Sequence, residues 1–276
     1  MNVLNRKSAL GSLIALALLL SACGGGGGAT NEAKVSQSFS VDPDVQVTVT
    51  TYNGVIEIRT GGDDQVQVDV TKRGGGDTDA QAKNDLDNIQ LSLSQAGGVV
   101  KLIATHRGQI PSNSAASFRV TVPAGAKLTL SLDNGTVNVG GVKGGATITA
   151  SNGDITVRGV EEGLISAKTT NGNVTLEGRE VSSLVASSSN GSVSFEGSLA
   201  ESNAANRIDV GNGGATLKLP SDAQFGIDAL TSNGALTSDF TFQGDATPKS
   251  VKGTIGASPA FGIVIRVKNG DISIKK

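Results

Sequence analysis

Few side chains in this sequence have the types and spacing to do chemistry, and each can be weighed by what it would need. The single histidine, His106, stands beside Arg107 near a strand end. A histidine base needs a nucleophile and an orienting carboxylate, and no Gly-x-Ser-x-Gly elbow occurs in the chain. His106 therefore reads as a surface loop residue. A zinc site needs three or four ligands, and the chain offers one His and one Cys. The run Gly140-Gly-Val-Lys-Gly-Gly145 has no Lys-Ser/Thr behind it and no helix to aim a dipole, so it reads as a turn rather than a phosphate cradle. The Asp-rich turn Gly61-Gly-Asp-Asp64 lacks the repeated nonapeptide of calcium-binding rolls. What remains is a set of charged residues at matched places: Arg158, Glu177 and Glu196, each six past an asparagine that precedes a glycine. Stacked, they would form an outward column, and two carboxylates about 5 to 9 Å apart can hydrolyse a glycoside. A solvated sheet face carries the same residues, and no aromatic platform for a sugar accompanies them. No catalytic residue is assigned, and the chain is expected to be neither an enzyme nor a holder of cofactor or metal.

Those asparagines lead to the elements that must position everything else. Asn134-Gly135, Asn152-Gly153, Asn171-Gly172 and Asn190-Gly191 recur at steps of 18, 19 and 19 residues. Three and five past each Asn stand apolar residues: Val137/Val139, Ile155/Val157, Val174/Leu176 and Val193/Phe195. Seven past comes Gly141, Gly159, Gly178 or Gly197. A second row lies four and two before the Asn, reading Leu130/Leu132, Ile148/Ala150, Ala167/Thr169 and Ala186/Ser188. Weaker copies surround Asn53, Asn212, Asn233 and Asn269. Each repeat is thus two alternating strands joined by an Asn-Gly corner and closed by a glycine exit.

Two architectures fit. Asn-Gly between alternating strands is a hairpin signal, which would give an antiparallel meander or sandwich. A fixed period favours instead a β-solenoid, in which each repeat is one coil and like stacks on like. The fold expected is therefore all-β: a right-handed β-solenoid with coils of about 19 residues over roughly 128–236. Irregular strands precede the coils, with one short helix near Gly74–Leu86 that Asp77 or Thr78 would cap. The Asn column would form an amide ladder or occupy left-handed corners. Asp239–Ser258, with Pro248, reads as a loop-rich excursion that caps an open end. Scarce aromatics (no Trp, one Tyr, seven Phe) and 38 glycines suit a thin aliphatic core with many tight turns.

The N-terminus carries a different message. Arg6 and Lys7 precede an apolar run from Ala9 to Leu20, too short to span a bilayer as a mature helix. Leu20-Ser21-Ala22-Cys23 follows, and Cys23 is the one cysteine. This resembles the bacterial lipoprotein signal, which implies cleavage before Cys23 and its acylation (a palmitate-bearing lipoprotein). Gly24–Gly28 would then be a tether, and Gly24 after the Cys implies export to an outer membrane where the cell has one. The boundaries expected are a signal peptide at 1–22, lipidated Cys and tether at 23–34, and a β-repeat domain at 35–276. Losing residues 1–22 removes Arg6 and Lys7, leaving 21 basic residues against 25 acidic. That mild negative charge argues against nucleic acid as a partner.

Val120-Thr-Val-Pro-Ala-Gly125, the repeated Asn-Gly-x-Val-x-Val-x-Gly and the final Val267-Lys-Asn-Gly-Asp-Ile-Ser-Ile274 resemble the bacterial putative-adhesin family across roughly residues 40–276. The resemblance implies a β-strand repeat protein, often secreted or membrane-anchored, of unknown function, with no catalytic residues to carry over. The function expected is a lipid-anchored envelope protein with an adhesion, scaffolding or binding role. Its partners would be the membrane through Cys23 and envelope or host glycans or proteins, met along Thr147, Thr149, Thr156, Lys168, Thr170, Thr175, Ser192 and Ser194. The alternatives are a carbohydrate-active β-helix using Arg158, Glu177 and Glu196, and a periplasmic accessory protein in envelope-stress signalling.

Overall fold

The computed structural model describes residues 15–17, 28–62, 64–202 and 204–276. The first part of the chain forms β1 (Ala15–Ala17), β2 (Ala29–Ser40), β3 (Gln46–Thr60), β4 (Gln65–Gly76), α1 (Asp79–Asn88), β5 (Ile89–Ala96), β6 (Val99–His106) and β7 (Ala115–Val122). The repeat region forms β8 (Lys127–Gly140), β9 (Ala146–Asn152), β10 (Ile155–Glu161), β11 (Leu164–Asn171), β12 (Val174–Val181), β13 (Ser183–Asn190), β14 (Val193–Leu199), β15 (Asn206–Asn212) and β16 (Ala215–Lys218). The last part forms β17 (Phe225–Asn233), β18 (Leu236–Ser238), β19 (Gln243–Ala246), β20 (Ser250–Ile255), β21 (Phe261–Asn269) and β22 (Ile272–Lys275).

Period-two alternation makes these strands one-sided, and stacking buries the apolar side. Strands before the corner pair in parallel with their counterparts one coil away: β8 with β9, β9 with β11, β11 with β13, β13 with β15. Strands after the corner do the same in a second wall: β8 with β10, then β12, β14 and β16. Register is set asparagine to asparagine, Asn134↔Asn152↔Asn171↔Asn190↔Asn212. The fold is a two-walled β-solenoid. The meander fails because each Asn-Gly joins strands of different walls. No corner Asn takes a positive φ, and only some corner glycines do (+147° at Gly172, for example), whereas a type I′ hairpin needs positive φ at both residues.

Between the walls lies one continuous aliphatic core, including Leu130, Ile148, Ile155, Val157, Ile165, Leu176 and Phe195. Some inward places are polar, and their hydroxyls are satisfied at the corners. Thr169, Ser188 and Thr231 donate their hydroxyls to the corner carbonyls of Gly153, Gly172 and Gly270, at 3.0, 2.8 and 2.7 Å. Distance requires the corner glycine even where φ is not positive, as at Gly153. A Cβ on Gly153 would sit 1.7 Å from the carbonyl oxygen of Gly135 in the neighbouring coil. Backbone stacks directly on backbone at this edge, so no side chain fits.

Stack order departs from chain order at both ends. Strand β3 lies between β6/β7 on one side and β8 on the other, so the coil of Asn53 is second in the stack. The C-terminal β21 lies between β15 and β17, and β22 between β16 and β18. In each case a later or earlier segment has been laid outside the terminal coil. Antiparallel strands finish the ends: β5 on β6, β4 on β7 and β2 on β4 at one, β20 on β17 and β19 on β20 at the other.

Two expectations need correction here. The excursion at 239–258 contains the hairpin β19–β20, whose pairing covers the open edge of β17. Strand β2 begins at Ala29, where Ala29 pairs with Gly76, so Ala29–Lys34 belong to the sheet and not to a tether. Ala15–Ala17 lies antiparallel to Lys34–Ser36. Helix α1 matches expectation, capped by Thr78 in a capping box with Gln81. Gly74, Gly75 and Gly76 allow the helix and Asn113 to lie directly on β4, since a Cβ on Gly74 would sit 2.2 Å from the Ala82 carbonyl oxygen.

Candidate functional site

The corner edge carries the longest polar feature of the molecule. Asn134 Nδ2 donates to Asn53 Oδ1 (2.8 Å), Asn152 to Asn134 (2.9 Å), Asn171 to Asn152 (2.7 Å) and Asn190 to Asn171 (2.8 Å). Asn212, Asn269 and Asn233 continue the line, each donating one coil inward at 2.7–2.8 Å. At its head Asn53 Nδ2 donates to the Ser114 carbonyl at 3.1 Å. The ladder reading of the Asn column holds. The left-handed reading does not, because Glu162 and Glu180 are the only non-glycine residues with positive φ among those described. A second column runs beside it: Asp154 accepts from the Asn173 amide, Asn173 from Ser192, and Ser192 from Gly214. These amides build the scaffold and are consumed by it.

The outward column of Arg158, Glu177 and Glu196 is brought together as the spacing predicts. Glu177 pairs in register with Glu196, and Glu196 with Lys218. Arg158 Nε lies 3.8 Å from Glu177, and Lys218 Nζ lies 2.7 Å from Glu196. Both carboxylates are open to water, at 58% and 62% side-chain exposure, and each faces a cation. Nothing there desolvates a carboxyl into a general acid. Below it, the guanidinium of Arg179 and then the ammonium of Lys143 hold Glu161 below the ordinary glutamate range. This is a solvated surface network.

The eight polar residues expected to form one contact face are divided. Thr147, Thr149, Lys168 and Thr170 lie on the pre-corner wall, Thr156, Thr175 and Ser194 on the post-corner wall, and Ser192 at the corner. The pre-corner wall holds the more regular array, part of which the repeat pattern did not disclose. Thr48, Thr129 and Thr147 stand in one cross-strand column, and Thr50, Ser131 and Thr149 in the next. Six hydroxyls thus occupy three adjacent strands about 4.8 Å apart.

The structure corrects the reading of His106. Its side chain is 1% exposed, with Nε2 2.7 Å from Asp85 Oδ1. Asp85, on α1, is itself buried, and its Oδ2 accepts the Gly75 amide at 2.9 Å. The Tyr52 ring meets His106 edge to face at 5.6 Å, and its hydroxyl lies 3.2 Å from Ser114 Oγ. Burial pushes the Tyr52 phenol above its ordinary range; the Ser114 hydrogen bond opposes this and the Asp85 charge adds to it. His106 Nδ1 is buried without any hydrogen-bond partner. A Ser-His-Asp relay needs that nitrogen on a hydroxyl, so this is an orienting pair and not a catalytic one. Above the pair opens a cleft of about 890 Å³ between α1 and the 107–114 turn, with Asp85 in its wall. Sequence reasoning missed this cluster because its members come from β3, α1, β6 and the turn before β7. The lone Tyr and the lone His were its only flags.

Among the described residues no group of three or more His, Cys, Asp or Glu is placed to hold a metal, and no helix is long and apolar enough to cross a membrane. Cys23 and the lipoprotein signal around it lie outside the described residues.

A two-walled β-solenoid with a stacked Asn-Gly corner defines the class of protein. The chain belongs to the Toastrack DUF4097 family, whose model matches residues 45–207 and again 146–275. Among curated proteins none matches it in sequence. Three crystal structures resemble it at low similarity. One is described as a putative cell adhesion protein from Clostridium sporogenes, 16% identical, with TM-score 0.37, covering 87% of this chain and 98% of that one. Another is a putative adhesin from Bacteroides fragilis, 13% identical, TM-score 0.40, covering 87% and 96%. A third is a putative adhesin from Parabacteroides distasonis, 12% identical, TM-score 0.31, covering 87% and 96%.

Proposed function

We propose that this protein is a lipid-anchored, non-enzymatic binding module of the bacterial envelope, held at the membrane through Cys23 and attaching through the pre-corner wall. The observation that supports this reading most is the register-matched hydroxyl array of Thr48, Thr129, Thr147, Thr50, Ser131 and Thr149. Such an array is flat, repetitive and hydrogen-bonding, so it suits many weak contacts to a polymeric or surface-bound partner better than one deep pocket would. The paired, water-exposed Glu177 and Glu196 give the carbohydrate-active alternative no support.

The test uses cells carrying the full chain and measures attachment to surfaces coated with glycans or proteins. Cys23→Ser should release the protein from the membrane fraction and abolish attachment. The pair Thr129→Glu and Thr147→Glu should lower attachment several-fold while leaving the anchored amount unchanged. Attachment by both variants at the level of the unaltered chain would sink the reading.

A further inference from the structure

The cleft above Asp85 sits where the regular repeat is interrupted by α1 and the 107–114 turn, and the scaffold makes no use of it. Its wall is rich in carboxamides: Asn84 and Asn88 from α1, Gln109 and Asn113 from the turn. Asn84, Asn88 and Gln109 are exposed on its rim. Its charges are one guanidinium, Arg73, against the carboxylates of Asp77 and Asp85. A strong anion would meet two carboxylates, and a strong cation would meet Arg73. Among the described residues no aromatic or large aliphatic side chain lines it, so an apolar ligand gains little. The chemistry left is that of a neutral ligand carrying many hydroxyls. A carboxamide offers a donor and an acceptor side by side, which matches neighbouring hydroxyls, and a carboxylate accepts from a pair of them.

The buried pair supplies the second observation. Asp85 is 5% exposed and is held from behind on both oxygens, by His106 Nε2 and by the Gly75 amide. Each oxygen keeps a lone pair for another donor. A fixed buried acceptor in the wall of a carboxamide-rimmed cleft is the arrangement of a preorganised polar site.

We propose that this cleft binds a terminal unit of a neutral saccharide, with Asn84 and Gln109 gripping adjacent hydroxyls and Asp85 accepting from the innermost one. This rests on the non-enzymatic binding reading and names a ligand class for it. The cleft would give selectivity for chain ends, while the hydroxyl wall gives extended contact.

The test is saturation-transfer NMR on the full-length protein with glucose, galactose, N-acetylglucosamine and their β-linked disaccharides. At least one should receive saturation, and Asn84→Ala with Gln109→Ala should weaken it about tenfold or more. Those two side chains are exposed and make no hydrogen bond among the described residues, so circular dichroism should be unchanged. Asp85→Asn, whose oxygen can stay on the Gly75 amide while its NH2 donates to a His106 Nε2 turned acceptor, should weaken binding, with circular dichroism checking that the fold is kept. No transfer from any of these sugars, or transfer indifferent to the double substitution, would overturn the assignment. Attachment of cells without any saccharide signal would sink the cleft alone. A saccharide signal without attachment would sink the adhesive reading and leave the cleft standing.

Discussion

The middle coils and the two ends are built on opposite principles. From β8 to β16 every coil repeats the same solution: asparagine over asparagine, corner glycine on corner glycine, apolar pair on apolar pair. At the ends the asparagine ladder continues, but the rest of the coil does not repeat. Aromatics gather there, with Phe225 stacked on Phe261 at 5.5 Å and set against Phe240 at one end, and Tyr52 against His106 at the other. The terminal coils of the chain are not the terminal coils of the stack. A repeat can bury its walls against its neighbours, but the last repeat has no neighbour, so its edge needs a unique solution. The uniform middle therefore supplies scaffold and extended wall, and the irregular ends are where sequence is free to build a one-off feature.

This contrast can be broken at measurable points. The largest effect is expected at the C-terminal end, where Phe225→Ala empties a fully buried aromatic cluster. It should cost about 3–5 kcal/mol in chemical denaturation, and much less would mean that the cap is loosely packed. In the middle, Gly153→Ala forces a Cβ onto the Gly135 carbonyl and should cost about 1–3 kcal/mol through overpacking. A neutral result would show that the corners have slack. Asn171→Ala removes one donated and one accepted ladder bond at an exposed edge, for about 1–2 kcal/mol. Smallest of all, Glu180→Gly relieves a φ of +53° at an exit turn and should stabilise by up to about 1 kcal/mol. Destabilisation there would mean that the Glu180 side chain does more than follow the turn.

What was legible in the sequence follows the same division. The corners, walls and register of the middle coils could be read because stacking demands like residues at like places. Even the weaker copies at Asn53, Asn212, Asn233 and Asn269 proved to be rungs of one ladder. Stack order could not be read, since a period states that coils are alike and not which lies beside which. The hairpin at 243–255 looked like a loop because its strands are short and one is wholly exposed. The hydroxyl array was half visible, as Thr147 and Thr149, and completed only when β3 and β8 fell into register beside them. His106 was misplaced because its carboxylate partner lies on a helix and carries no spacing signal.

The intercalated C-terminal coil is the claim on which this account of the ends depends most. Amide hydrogen exchange read by mass spectrometry on the full-length protein tests it directly. With β21 between β15 and β17, amides of Ile263–Val267 should exchange as slowly as those of Ile165–Thr169 in the middle, although they lie close to the chain terminus. Exchange of Ile263–Val267 at the fast rate of the β19 edge would contradict it.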